Sequence, residues 1–183
     1  KSGFIMPTES ANTTQPLKRP RFKDFIDGGK LLKKVKNNFI KANSWLVLYE
    51  TKDEFPQLQV ILLSPDNTGN YQKVAIDSFD YDGAAPQAKE IFFADIDEDG
   101  AKELVILCTW EVKHQGLGIN ATDYKVSIYD NEIDSDTHKV KQMSELMDKF
   151  GSGTEGAMET TTEHYQWKDK ATILQAIKEF SVP

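Results

Sequence analysis

The chain has 183 residues, 28% of them charged, with a formal net charge of −7 and a single cysteine, Cys108. Its ordinary apolar content supports one domain core without cross-links, and a lone thiol excludes a disulfide framework by arithmetic. The acidic balance argues against a nucleic-acid partner, which would show a basic face. No apolar run approaches the ~20 residues that span a bilayer, so no transmembrane segment is expected.

Residues 1–21 are polar and rich in Thr, Ser and Pro, ending in Lys18, Arg19 and Arg21. That composition reads as a flexible tether ahead of a single β-rich domain over 22–183. A tether behind a removed signal fits a secreted, periplasmic or cell-surface protein, with a lipid anchor upstream of Lys1.

Over residues 29–41, Leu31, Leu32, Val35, Phe39 and Ile40 fit a helical stripe, whereas Val35, Asn37 and Phe39 fit a strand. A helix running into a strand satisfies both patterns. Then come β-rich runs, Trp45–Tyr49 and Leu58–Leu63, and the alternating Tyr71–Phe79 with Val74 and Ile76 on one face. Ser64–Asn70 is dense in turn formers and predicts a hairpin loop. Further strands fall at Glu90–Ala94, Glu103–Val112 and Asp123–Tyr129. Leu104–Cys108 is apolar without alternation, which predicts a central strand covered on both faces and makes Cys108 a small buried residue.

A weak repeat relates about 35–79 to about 91–143. Sliding the chain by 66 positions lays Leu58 on Tyr124, Val60 on Val126 and Leu62 on Ile128. Repeats of this kind signal stacked supersecondary units. Met143, Leu146, Met147 and Phe150 mark a short helical turn stopped by Gly151. Gly151–Glu163 reads as a mobile loop. A C-terminal helix over about 169–181 is capped by Asp169 and buries Ile173, Leu174, Ile177 and Phe180. The fold class is thus mainly β (α+β), built of antiparallel meanders with a C-terminal helix.

The densest chemistry lies in Asp95-Ile96-Asp97-Glu98-Asp99-Gly100-Ala101-Lys102-Glu103. Oxygen ligands at loop positions 1, 3 and 5, glycine at 6 and a carboxylate at 9 suit a hard cation such as Ca²⁺. Clustered aspartates repel one another unless a cation joins them, although Asx hydrogen bonds could also hold a metal-free turn. An EF-hand needs a bidentate acid at position 12. Position 12 here is Ile106, inside an apolar run.

Flanked by strands, this loop resembles the calcium-binding hairpin of FG-GAP and VCBS-type repeats, the blades of integrin α-subunit propellers. The resemblance implies two propeller-blade-like units. It also implies a structural Ca²⁺ held by the side chains of Asp95, Asp97, Asp99 and Glu103 and the carbonyl of Ala101. The earlier copy, Asn38-Phe39-Ile40-Lys41-Ala42-Asn43, is then an acidic loop that has lost its acids.

Other constellations are weaker. Asp77, Asp80 and Asp82-Gly83 read as a solvated turn. His114, His138 and His164 lack zinc spacing. Trp45, Trp110 and Trp167 with Tyr49, Tyr124, Tyr129 and Tyr165 either fill the core or line a carbohydrate or peptide groove. No nucleophile motif or phosphate loop is present, so no catalytic residue is assigned. The expected function is a non-enzymatic binding module for a protein or carbohydrate ligand. The alternative is a hydrolase or hydrolase inhibitor using the 113–123 and 151–163 loops, with His114 in the first.

Overall fold

The computed structural model describes residues 17–180. Ten strands and two helices follow one another: β1 (Lys30–Asn37), β2 (Ser44–Glu50), β3 (Leu58–Pro65), β4 (Tyr71–Phe79), β5 (Gln87–Ala94), β6 (Glu103–His114), β7 (Ile119–Ile133), β8 (Val140–Gln142), α1 (Ser144–Phe150), β9 (Ser152–Ala157), β10 (Thr162–Glu163) and α2 (Lys170–Phe180). A single 3₁₀ turn, Phe22–Phe25, precedes β1.

The strands form two antiparallel sheets. Sheet 1 is the meander β1-β2-β3-β4. Sheet 2 runs β5-β6-β7, and the far side of β7 is shared: Asn120–Lys125 pair with β9, while Tyr129 and Ile133 pair with β8. The fold is therefore mainly β, with one helix closing the described chain.

The sheets stack face to face. Leu46, Leu48, Val60, Leu62 and Ile76 of sheet 1 meet Leu104, Ile106, Cys108 and Tyr129 of sheet 2 in one core. Each outer face has its own cover. Phe22 and Ile26 pack on Val47, Tyr49, Ile61 and Leu63 outside sheet 1. Phe150, Ile173, Ala176 and Ile177 pack on Val105, Leu107, Val126 and Ile128 outside sheet 2. With both faces dry, β2, β3 and β6 need apolar residues at consecutive positions, which is the pattern their sequences carry. Leu104 to Cys108 are all fully buried.

Turn chemistry follows the expected rules. Asp66 Oδ1 accepts the N–H groups of Thr68 and Asn70, and Gly69 takes the left-handed conformation that the turn between β3 and β4 requires. Asp169 Oδ1 accepts the Thr172 N–H and caps α2, whose predicted end at residue 181 lies outside the described residues. Gly151, with φ 60°, ends α1.

Three expectations are corrected. Residues 30–37 are strand throughout, because pairing with β2 satisfies their backbone while Leu31 packs outward and Val35 inward. The 113–123 segment is the end of a long β6–β7 hairpin, paired out to His114 and Ile119. The 151–163 segment is no loop. It forms β9 and β10, and Gly153 lies so close to the Tyr165 ring that an added Cβ would collide with it. Of the tether, residues 1–16 lie outside the described residues, while Pro20 is buried and the Arg19 guanidinium sits 5.6 Å from the Trp45 ring.

Truncation at the centre of this stack should be costly. Ile106→Ala is expected to destabilise by about 2–5 kcal/mol in denaturant melts. Leu32→Ala, at a side chain 45% exposed, should change stability by less than about 0.5 kcal/mol.

Candidate functional site

The acidic loop connects two paired strands, β5 and β6. Ile106 is fully buried within β6, so no helix-loop-helix geometry exists here. Its aspartates are exposed, and one carboxylate oxygen from each of Asp95, Asp97 and Asp99 lies within 4.8 Å of the others. Oxygens bound to Ca²⁺ at 2.3–2.6 Å lie at most about 5 Å apart, so the spacing fits one shared ion. Asp95 Oδ2 accepts the Gly100 N–H at 3.1 Å, Asp97 Oδ1 the Asp99 N–H at 3.3 Å, and Asp99 Oδ1 the Ala101 N–H at 2.7 Å. Gly100 has φ 90°, a conformation that suits glycine.

Glu103 opens β6 and differs from the aspartates in being fully buried. Its Oε2 accepts the Ile96 N–H at 2.5 Å, which ties the start of the loop to its end. Among the described residues its Oε1 has no hydrogen-bond partner. Burial pushes the Glu103 carboxyl above its ordinary pKa. The Ile96 N–H opposes this, while the charges of Asp97 and Asp99 push further upward. A buried carboxylate oxygen without a partner is expensive, and a cation is one of the few groups that would satisfy it. The three grouped aspartates offer hard oxygen, as Ca²⁺ prefers, but the Glu103 carboxylate is not grouped with them in this structure.

The loop between β1 and β2 is shorter and carries no acid, but shares one feature with the acidic loop. Asn38 Oδ1 accepts the Asn43 N–H at 3.2 Å, five residues on, as Asp95 does for Gly100. Phe39 and Ile96 are both buried beneath their loops.

A second feature lies where the β6–β7 hairpin leaves the core. A cleft of about 550 Å³ is lined by residues that include Phe79, Asp80, Asp82, Trp110, Asp123 and Thr154. The Trp110 Nε1–H donates to the Asp80 carbonyl, and the Trp110 and Phe79 rings meet edge to face at 6.2 Å. Asp123 accepts the Thr154 hydroxyl at 2.5 Å, and Gln57 donates to the Asp80 carboxylate at 2.8 Å. At the same end of sheet 1, Phe55 and Tyr81 form an exposed ring pair, and Phe55 is 59% exposed.

Of the aromatic residues singled out in the sequence, Trp110 and Tyr124 reach this cleft. Trp45, Tyr49, Tyr129, Tyr165 and Trp167 pack in or against the core clusters. Asp80 and Asp82, read as a plain turn, also line the cleft. Sequence order hides their meeting with Trp110, because β4 and β6 belong to different sheets. Asp77 instead accepts the Tyr129 hydroxyl, and burial raises that phenol well above its ordinary pKa. Cys108 is buried and free, with its thiol pushed up to about 12 by burial, so it carries no nucleophilic chemistry. His114 sits at the hairpin tip, opposite Ile119.

Among the described residues no helix is long and apolar enough to cross a membrane. No protein-family model, curated protein or solved structure matches the chain.

The raised Glu103 pKa has a definite sign. Between the ordinary value of 4.5 and the raised folded value, the folded state binds more protons than the unfolded state, so stability falls as pH rises through that window. In chelator-containing buffer, Glu103→Gln should remove this slope from the melting-temperature profile. Subtracting the two profiles separates Glu103 from Asp66, Asp134 and Asp169, whose lowered pKa values act in the opposite sense at lower pH. Parallel profiles would mean that Glu103 ionises without cost.

Proposed function

We propose that this chain is a non-enzymatic binding module of a secreted or cell-surface protein, with Ca²⁺ stapling the Asp95–Glu103 hairpin. Asp95, Asp97, Asp99 and Glu103 ligate through carboxylates and Ala101 through its carbonyl. The observation that carries the reading is the cluster of three aspartates in a hairpin that also holds the buried, half-satisfied Glu103 carboxylate. Exposed charges 4.8 Å apart repel by about 1 kcal/mol per pair even in water, and a divalent ion reverses that term. The exposed aspartates suit a site of modest affinity, of the kind that extracellular modules fill at millimolar calcium. Two stacked meanders, each with a loop after its first strand in which a side-chain oxygen accepts the N–H five residues on, support the resemblance to FG-GAP and VCBS-type repeats.

The ligand site is the cleft at Trp110. Aromatic faces beside carboxylates and hydroxyls suit a hydroxyl-rich ligand, in which C–H faces stack on rings and hydroxyls donate to Asp82 and Asp123. A carbohydrate is therefore the favoured ligand. The hydrolase alternative gains one point, since β7 and β9 bring the 113–123 and 151–163 segments together. It loses its base, because His114 does not line the cleft.

Saturating Ca²⁺, at about 100 times its dissociation constant, should add about 2.7 kcal/mol. For a chain of this size that raises the melting temperature by about 5–10 °C. Asp97→Ala and Glu103→Gln should abolish the increment, and coincident wild-type melts in Ca²⁺ and in EDTA would refute the staple. Screening against immobilised glycans should find a ligand whose binding is lost in Asp82→Ala, at an exposed side chain of the cleft, with the melting temperature unchanged. A calcium-loaded protein that binds no glycan would exclude carbohydrate from the cleft.

A further inference from the structure

The net charge of −7 conceals a sharp segregation. Residues 18–41 contain nine Lys or Arg against two Asp, whereas residues 42–180 contain twelve against twenty-six acids. All nine cations are exposed. Both acids of the basic segment are already engaged, Asp24 with Arg21 at 2.9 Å and Asp27 with Lys73 at 2.8 Å.

The fold gathers six of these cations at one end of the stack. The segment carrying Lys18, Arg19, Arg21 and Lys23 leads into Phe22 and Ile26, which cover the outer face of sheet 1. On β1, Lys34 lies opposite Val47 and Lys36 opposite Trp45, so both lysines share that outer face. The Lys34 ammonium is 4.8 Å from the Phe22 ring, and the Arg19 guanidinium is 5.9 Å from the same ring. Lysines on a sheet edge often serve only to block strand addition. That role accounts for lysines on β1 but not for Lys18, Arg19 and Lys23, which are not in a strand.

We propose that this face docks on an anionic phospholipid bilayer. Three features favour a planar lipid surface over a nucleic acid. The cations spread over a sheet face and an adjoining segment, as a plane of headgroups requires. Leu17, which leads into the basic segment, is 43% exposed, and an apolar side chain gains free energy in a bilayer interface but not on a phosphate backbone. Finally, nineteen of the twenty-six acids of residues 42–180 fall in 83–180, in or beside sheet 2 and its helices. Stacked sheets lie about 10 Å apart, roughly a Debye length in physiological salt, so sheet 2 and its helices hold their acids out of the membrane's repulsive field. A flexible polyanion would instead pass from the basic face onto the acidic flanks. Docked this way, the acidic loop, which joins two strands of sheet 2, lies in the half of the stack that faces away from the lipid.

Vesicle co-sedimentation tests the assignment. In about 0.1 M salt the protein should pellet with phosphatidylcholine vesicles containing one-third phosphatidylglycerol, stay in solution with phosphatidylcholine alone, and be released at about 1 M salt. Each surface lysine contributes about a fivefold factor near an anionic membrane, so Lys18→Gln/Lys23→Gln/Lys36→Gln should weaken partitioning on the order of 100-fold. Its melting temperature should stay at the wild-type value, since none of the three makes a described ion pair. Lys139→Gln/Lys178→Gln, on the sheet 2 side, should partition like wild type. Equal binding to neutral vesicles, or an unaffected triple variant, would overturn the proposal. So would a preference for a DNA duplex over the anionic vesicles in direct competition, which would reassign the face to nucleic acid.

Discussion

Everything else in this molecule hangs on β6 being apolar on both faces. Leu104, Ile106 and Cys108 close the core between the sheets, while Val105 and Leu107 seat the helices. Five consecutive side chains with no exposure leave no position where a polar residue would be tolerated. Their burial amounts to roughly 1.5–3 kcal/mol for each large aliphatic side chain, the largest local term available to hold two sheets together. A strand so placed must be gripped at its start, because a slip of one residue would exchange its two faces.

That grip is the acidic hairpin. Glu103 is the first residue of β6, and its bond to the Ile96 N–H closes the loop at the point where the chain enters the core. Ile96 itself packs with the cluster under the helices. Loop geometry and core register are therefore coupled through one carboxylate, and the charge state of that carboxylate bears on the whole stack. The corresponding loop in sheet 1 needs no such device. Asn38 satisfies the backbone there with a neutral amide, and buried Ser44 donates to the Lys41 carbonyl at 2.7 Å.

Much of this was legible in the chain. Unbroken apolar runs identified β2, β3 and β6 because burial on both faces demands that pattern. Asp66, Gly151 and Asp169 announced their turn and helix ends through local chemistry. What stayed hidden depends on partners distant in sequence. β9 buries little and reads as a loop, yet it is held by the ladder to β7 and by Tyr165 lying on Gly153. The leucines of β1 fit a helical stripe until β2 supplies backbone partners. The cleft needs Asp80 from one sheet beside Trp110 from the other, a meeting 30 residues apart that no periodicity encodes. The basic end of the molecule was readable but masked, since a whole-chain net charge averages opposite ends.

The layers of the stack follow chain order from leading segment to sheet 1 to sheet 2, with α1 placed before the last two strands of sheet 2. Within sheet 1 every pairing joins neighbours in sequence, so each strand is added by closing only a short loop. Loop-closure entropy is lowest for such connections, and topologies rich in them fold quickly for β proteins. An emerging chain could complete its first meander before the second is made, although that meander's inner face would stay exposed until β6 arrives. The interval between those events is when the chain is most prone to associate with other copies. The lysines along β1 guard one edge of that half-built layer at the moment when it has no second sheet to lean on.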